Sequence, residues 1–203
     1  MVAATSTAVQ ELDAEERIVL PNVSWSMYVA LRNENDSPAI RMTYLEGMLE
    51  LMSPSQKHEV AGTLLARLLE AWSEEVDLDL RGFGRTTYRE EIGRRGLEAD
   101  ESYNLGPTPE DAPPHLAIEV IVSNPLLDKL AVYAGLGVKE VWTWRTASPG
   151  VVVHVLVGNR YETASRSRLL PALDLALLAS FVRPGENQVA LVKAYRAELR
   201  ARR

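Results

Sequence analysis

The chain has 203 residues, 46% hydrophobic and 25% charged, which predicts one soluble globular domain with a self-sufficient core. A net charge of −6 and a pI near 5.2 argue against a broadly basic, nucleic-acid-coating surface. The absence of cysteine excludes disulfides, thiolate metal sites and a cysteine nucleophile, and no apolar run approaches the ~18–20 residues of a membrane span. The start, MVAATSTAVQELDAEER, lacks the basic and apolar regions of a secretory signal, so a cytoplasmic protein is expected.

Residues 1–20 are polar and then acidic and predict a poorly ordered start. Ser24 can cap a short helix that carries Trp25 and Val29. In RMTYLEGMLELM, from Arg41 to Met52, alternation predicts two strands joined at Glu46-Gly47. Ser53-Pro54-Ser55-Gln56 reads as a helix start with Ser53 as N-cap, followed by an apolar stripe through Val60, Leu64, Leu68 and Trp72. Arg85 to Ile92 and Gly96 to Leu105 predict a hairpin, and Gly106 to Pro114 a Pro-rich acidic loop. LAIEVIV, from Leu116 to Val122, is the most continuously apolar run and is expected to be a central strand. A helix over Leu126–Leu136, capped by Gly137, leads to a strand over Val138–Thr146. Together these suggest a parallel crossover unit. Further strands are predicted over Val151–Val157 and Arg160–Ala164, and helices over Asp174–Phe181 and Glu186–Arg202.

Acidic residues in otherwise apolar strands are the informative feature, because a buried acid is costly without a partner or a cation. Glu119 lies in the middle of LAIEVIV, as a structural ion pair or a functional group. Asp100 lies in LEADESYNL, as a solvated strand edge or as the partner of Glu119. Two carboxylates at the ends of neighbouring strands suit Mg²⁺ or Mn²⁺, which take hard oxygen ligands and keep several waters. Such an ion could act on a phosphodiester. Lys129 shares a helix face with Tyr133 and either neutralises phosphate charge or orients the attacking water, or is an exposed helix lysine; Asp128 is likewise either functional or an exposed helix residue. His58, in a first helical turn, is a surface or capping histidine, or contacts a phosphate or the metal-site acids. His115 and His154 have no partner spacing and are read as structural. Arg81, Arg85, Arg89, Arg94 and Arg95 could form a local basic groove or a solvated charged hairpin.

MTYLEGMLELMSPSQKHE, LEADESYNL and HLAIEVIVSNPLLDKLAVYAGLGVKEVWTW occur in this order over roughly Tyr44 to Trp144. They resemble the Uma-two family of restriction endonucleases, within the PD-(D/E)XK nuclease superfamily. The resemblance implies an α/β (α+β) domain over residues 21–203, a mixed sheet with the long helix on one side and the crossover helix on the other. It places Asp100 at the motif aspartate, Glu119 at the (D/E)XK acid, Lys129 at a lysine on the following helix, and His58 at a histidine after the Ser-Pro segment. Glu46 matches an acidic position before the family's glycine. Three departures stand out: Ala99 replaces the motif proline, Val122-Ser123-Asn124-Pro125 replaces a Ser-Pro-Ser segment, and no lysine lies two positions after Glu119. Lys129 must then supply the ammonium. The implied activity is metal-dependent cleavage of DNA rather than RNA, by a homodimer because a duplex has two strands to cut. The alternatives are a non-catalytic nucleic-acid-binding module on the same fold, or a structural oligomer whose interface uses Val138–Trp144 and Val151–Val157.

Overall fold

The computed structural model describes residues 15–35, 37, 39–109 and 112–202. Two sheets organise them. The first is antiparallel and has five strands in the order β1-β3-β2-β6-β5. These are β1 (Glu16–Leu20), β2 (Arg41–Leu45), β3 (Met48–Ser53), β5 (Thr87–Glu90) and β6 (Arg95–Glu98). The second is mixed and has six strands in the order β11-β10-β9-β8-β7-β4. It comprises β4 (Leu80–Gly82), β7 (Glu101–Leu105), β8 (Leu116–Ile121), β9 (Glu140–Arg145), β10 (Val151–Val157) and β11 (Arg160–Ala164). The helices are α1 (Trp25–Glu34), α2 (Gln56–Glu75), α3 (Lys129–Leu136), α4 (Leu175–Ser180) and α5 (Gln188–Ala201).

The expected mixed sheet is present. β8 and β9 are parallel neighbours linked through α3, with β8 in the sheet interior. Along β8 the period of two divides the sheet faces. Ile118 and Val120 join the large core with Leu64, Leu65 and Leu68 of α2, while Ala117 faces Val132 and Tyr133 of α3. The long helix and the crossover helix thus cover opposite faces. The other sheet is an addition to the expected plan. α1 covers it through Tyr28, whose ring stacks on Tyr44 with centroids 4.8 Å apart.

Several boundaries differ from the sequence reading, each for a local reason. Residues 16–20 form β1, paired to β3 from Glu16↔Ser53 to Leu20↔Leu49, where an unstructured start was expected; the rest of that segment, residues 1–14, lies outside the described residues. Ser53 is consumed by this pairing, so Ser55 caps α2 and accepts the His58 N–H. Gly96 to Leu105 is two strands: β6 ends at Glu98, and the chain crosses at Ala99-Asp100 into β7 of the other sheet. α3 begins at Lys129, with Asp128 as N-cap. The Glu46-Gly47 hairpin forms as expected, both residues having the positive φ (48° and 95°) of a type I′ turn. Gly137, at φ 79°, closes α3 in the left-handed region.

α5 is clamped to α2 through Glu75, which accepts from Arg196 at 2.9 Å and from Arg200 at 2.9 and 2.7 Å. Arg200, then Arg196, pull the Glu75 carboxyl from its ordinary 4.5 down to about 2. A lowered folded-state value means the clamp acts fully above pH 4.5 and is lost as pH falls towards 2. The stability difference between wild type and Glu75→Gln, read by urea midpoints, is expected to shrink across that window. A constant difference would refute the assignment.

Candidate active site

Four elements converge where the two sheets meet. β8 supplies Glu119, the β6–β7 crossing supplies Asp100, the first turn of α2 supplies His58 and the first turn of α3 supplies Lys129. All four sequence-expected residues are brought together, and both acids are only 4% exposed. Lys129 Nζ donates to Glu119 Oε2 at 2.7 Å, and the Tyr133 hydroxyl, one helical turn on, donates to Glu119 Oε1. The ammonium therefore reaches the acid from the helix, although no lysine follows two positions along the strand. Asp100 Oδ2 accepts the Val120 N–H at 2.8 Å, which ties the crossing to the strand that carries Glu119. Asp100 Oδ1 lies 2.9 Å from His58 Nε2, an ion pair with both side chains buried.

Electrostatics sharpen this arrangement. Burial lowers the His58 value, but Asp100 on one side of the ring and Glu15 on the other override it and lift it to about 9, giving an imidazolium at neutral pH. Burial opposes ionisation of Asp100, yet His58, with Lys129 and the Val120 N–H, holds its carboxyl well below the ordinary range. Burial pushes the Glu119 carboxyl up, and Asp100 adds to that push against Lys129 and Tyr133. Lys129 stays protonated because Glu119 and Asp100 outweigh its burial.

Three residues not anticipated as site residues complete the centre. Glu15 binds His58 Nδ1 through Oε1 at 2.7 Å, and its Oε2 accepts the Ser123 N–H at 3.1 Å. Arg17 Nε donates to Ser123 Oγ at 3.0 Å, and its guanidinium also pairs with Glu50. Glu50 Oε2 in turn accepts the N–H groups of Leu126 and Leu127 at 2.8 and 2.7 Å, fixing the loop that launches α3. Glu50 carried the signal that revealed Glu119: an acid inside an apolar run, Met48-Leu49-Glu50-Leu51-Met52. For Glu15 and Arg17 the signal was the β-prone Ile18-Val19-Leu20 just behind them.

The arginine cluster does not form one groove. Arg81 pairs with Asp79 at 3.0 Å, Arg85 with Glu59, Arg89 with Asn33 at 3.1 Å and Arg95 with Glu90 at 3.4 Å, while Arg94 sits in the β5–β6 turn. His115 is structural, as expected: Nδ1 accepts from Leu105 N–H at 3.1 Å. Among the described residues no three His, Asp or Glu side chains are grouped as a ready metal cage. The site offers two hard carboxylates, Asp100 and Glu119, with Asp100 Oδ1 ion-paired to His58. That donor set fits an ion such as Mg²⁺, which is bound by one or two carboxylates and keeps its remaining positions for water and phosphate.

A mixed sheet that buries two acids beside a crossover helix is a nuclease-like scaffold, and a solved structure bears out the fold. It is described as a "putative nuclease belonging to DUF820" from Anabaena variabilis ATCC 29413, with a TM-score of 0.54 over 79% of this chain and 99% of that chain, at 14% identity. The chain belongs to the Uma2 family, whose description is "Putative restriction endonuclease" and whose model matches residues 25–184. No curated protein matches the chain.

Proposed function

We propose that this protein is a Mg²⁺- or Mn²⁺-dependent endonuclease that hydrolyses phosphodiester bonds in DNA as a homodimer. One observation carries the reading: two buried carboxylates, Asp100 from the β6–β7 crossing and Glu119 from β8, meet two cationic side chains, His58 and Lys129. Buried titratable groups with strongly shifted values cluster at functional sites. Asp100 and Glu119 would hold the cation, which when bound polarises a phosphoryl oxygen and activates water. Lys129 Nζ, now on Glu119, would donate to a non-bridging phosphate oxygen as its charge grows. His58, charged and held by Glu15 and Asp100, would position the second side of the phosphate. Glu15 is a positioning residue, since it acts through His58.

The test is incubation of the wild-type protein with plasmid DNA and a single-stranded oligonucleotide in millimolar Mg²⁺ or Mn²⁺. Cleavage that chelator abolishes is expected. A gel shift without cleavage in either metal would instead establish the non-catalytic binding module.

A further inference from the structure

A cavity of about 510 Å³ opens beside Glu119, Lys129 and Tyr133, on the sheet face that α3 covers only in part. Strand register fixes its far wall. Thr143 is the parallel partner of Glu119 and the antiparallel partner of Val152, so all three side chains share one face. Arg145 and His154 lie two positions along β9 and β10 and point to the same side. Arg145 is therefore one row, roughly 7 Å, along and one strand, about 4.8 Å, across from Glu119.

The wall is chemically divided. Arg145 spends Nη1 on Asn124 Oδ1 at 2.8 Å, and a guanidinium carries further donors for an anion. His154 Nε2 lies 3.1 Å from Thr143 Oγ1. Burial, assisted by Arg145, lowers the His154 value, so the ring is neutral at pH 7 and, with the hydroxyl, offers donors and acceptors. His154, read from sequence as structural, thus faces an open cavity. Pro125, Leu126, Leu130 and Val152 also line the cavity, Leu126 being 59% exposed and Val152 38% exposed.

We infer that this cavity is a subsite for one unpaired nucleotide of the substrate strand. Arg145 holds its phosphate, the Thr143–His154 pair meets a polar edge of its base, and the Leu126 and Val152 surfaces cover its faces. A duplex presents a convex ridge of phosphates with its bases stacked inside. A concave, half-apolar cavity of this size takes a nucleotide swung out of the stack or a single strand. The inference rests on the nuclease reading and gives it a substrate class: single-stranded or locally unpaired nucleic acid.

Fluorescence anisotropy in millimolar Ca²⁺ tests it, with a labelled 12-nucleotide single strand and a duplex of the same sequence. Wild type is expected to bind the single strand about tenfold tighter, the scale of one base contact. His154→Ala is expected to erase that preference with duplex affinity unchanged, and Arg145→Ala to weaken single-strand binding more than duplex binding. Equal affinity for both probes in wild type, or an unaltered preference in both variants, would overturn the subsite. The two readings fail separately. Chelator-sensitive cleavage with no single-strand preference removes the subsite alone. A preference that His154→Ala erases, in a protein that cuts nothing, removes the nuclease reading alone.

Discussion

Glu119→Gln is expected to lower metal-dependent cleavage by about 10²–10³-fold, the scale seen when a preorganised charge is lost from a reacting centre. The amide keeps the shape of the side chain and can still accept from Tyr133, but it no longer balances the Lys129 ammonium, which is 10% exposed. Some stability must therefore fall with activity, and a single substitution cannot separate the two. The double variant Glu119→Gln, Lys129→Met does. Replacing a buried ion pair by less polar groups of similar volume is often neutral or stabilising. Melting temperature should return towards wild type while cleavage stays lost. Recovery of cleavage in the double variant, or undiminished cleavage in Glu119→Gln, would reduce the pair to a structural ion bridge.

Glu50→Ala is expected to be the most destabilising substitution near the site, costing about 3–5 kcal/mol in urea denaturation. The side chain is 1% exposed and satisfies three donors at once: the Arg17 guanidinium and the Leu126 and Leu127 amides. Removing it takes from the buried Arg17 one of its two carboxylates, Glu15 remaining at 2.9 Å, and frees the loop from which Lys129 starts. Cleavage should fall in the same variant, since the ammonium is no longer aimed. Glu50→Gln retains an acceptor for the loop amides and should cost less, about 1–3 kcal/mol. Equal losses in the two variants would mean that the Arg17 charge, and not the loop, is what Glu50 serves.

What could be read from the chain depended on whether its cause was local. The Glu46-Gly47 turn, the β8–α3–β9 crossover and the Gly137 cap follow from residues a few positions apart. Glu119 was legible because an acid in LAIEVIV contradicts its surroundings. The failures share a tertiary origin. Nothing between Gly96 and Leu105 announces that Ala99-Asp100 passes from one sheet to the other, since a small residue and an acid also suit a continuous strand. Leu126 and Leu127 look helical, but their amides are bound by Glu50, 76 and 77 positions upstream. Ser53 and Ser55 are equally good caps, and only the pairing of β1 with Ser53 decides between them. β1 itself could not be weighed without its partner strand.

Glu15 joins Ser123 across 108 positions of chain, whereas Lys129 joins Glu119 across 10. The two halves of the centre therefore become available at different moments of folding. The lysine–carboxylate half can form as soon as the crossover closes. The histidine half waits for an edge strand from near one end of the chain to be paired with β3 and laid against the 123–128 loop, a long-range closure of the kind that forms late. A chain whose β1 has peeled away holds the acids without the Glu15 clamp on His58. Local fraying of β1 would thus release His58 from Glu15 while Lys129 stays on Glu119.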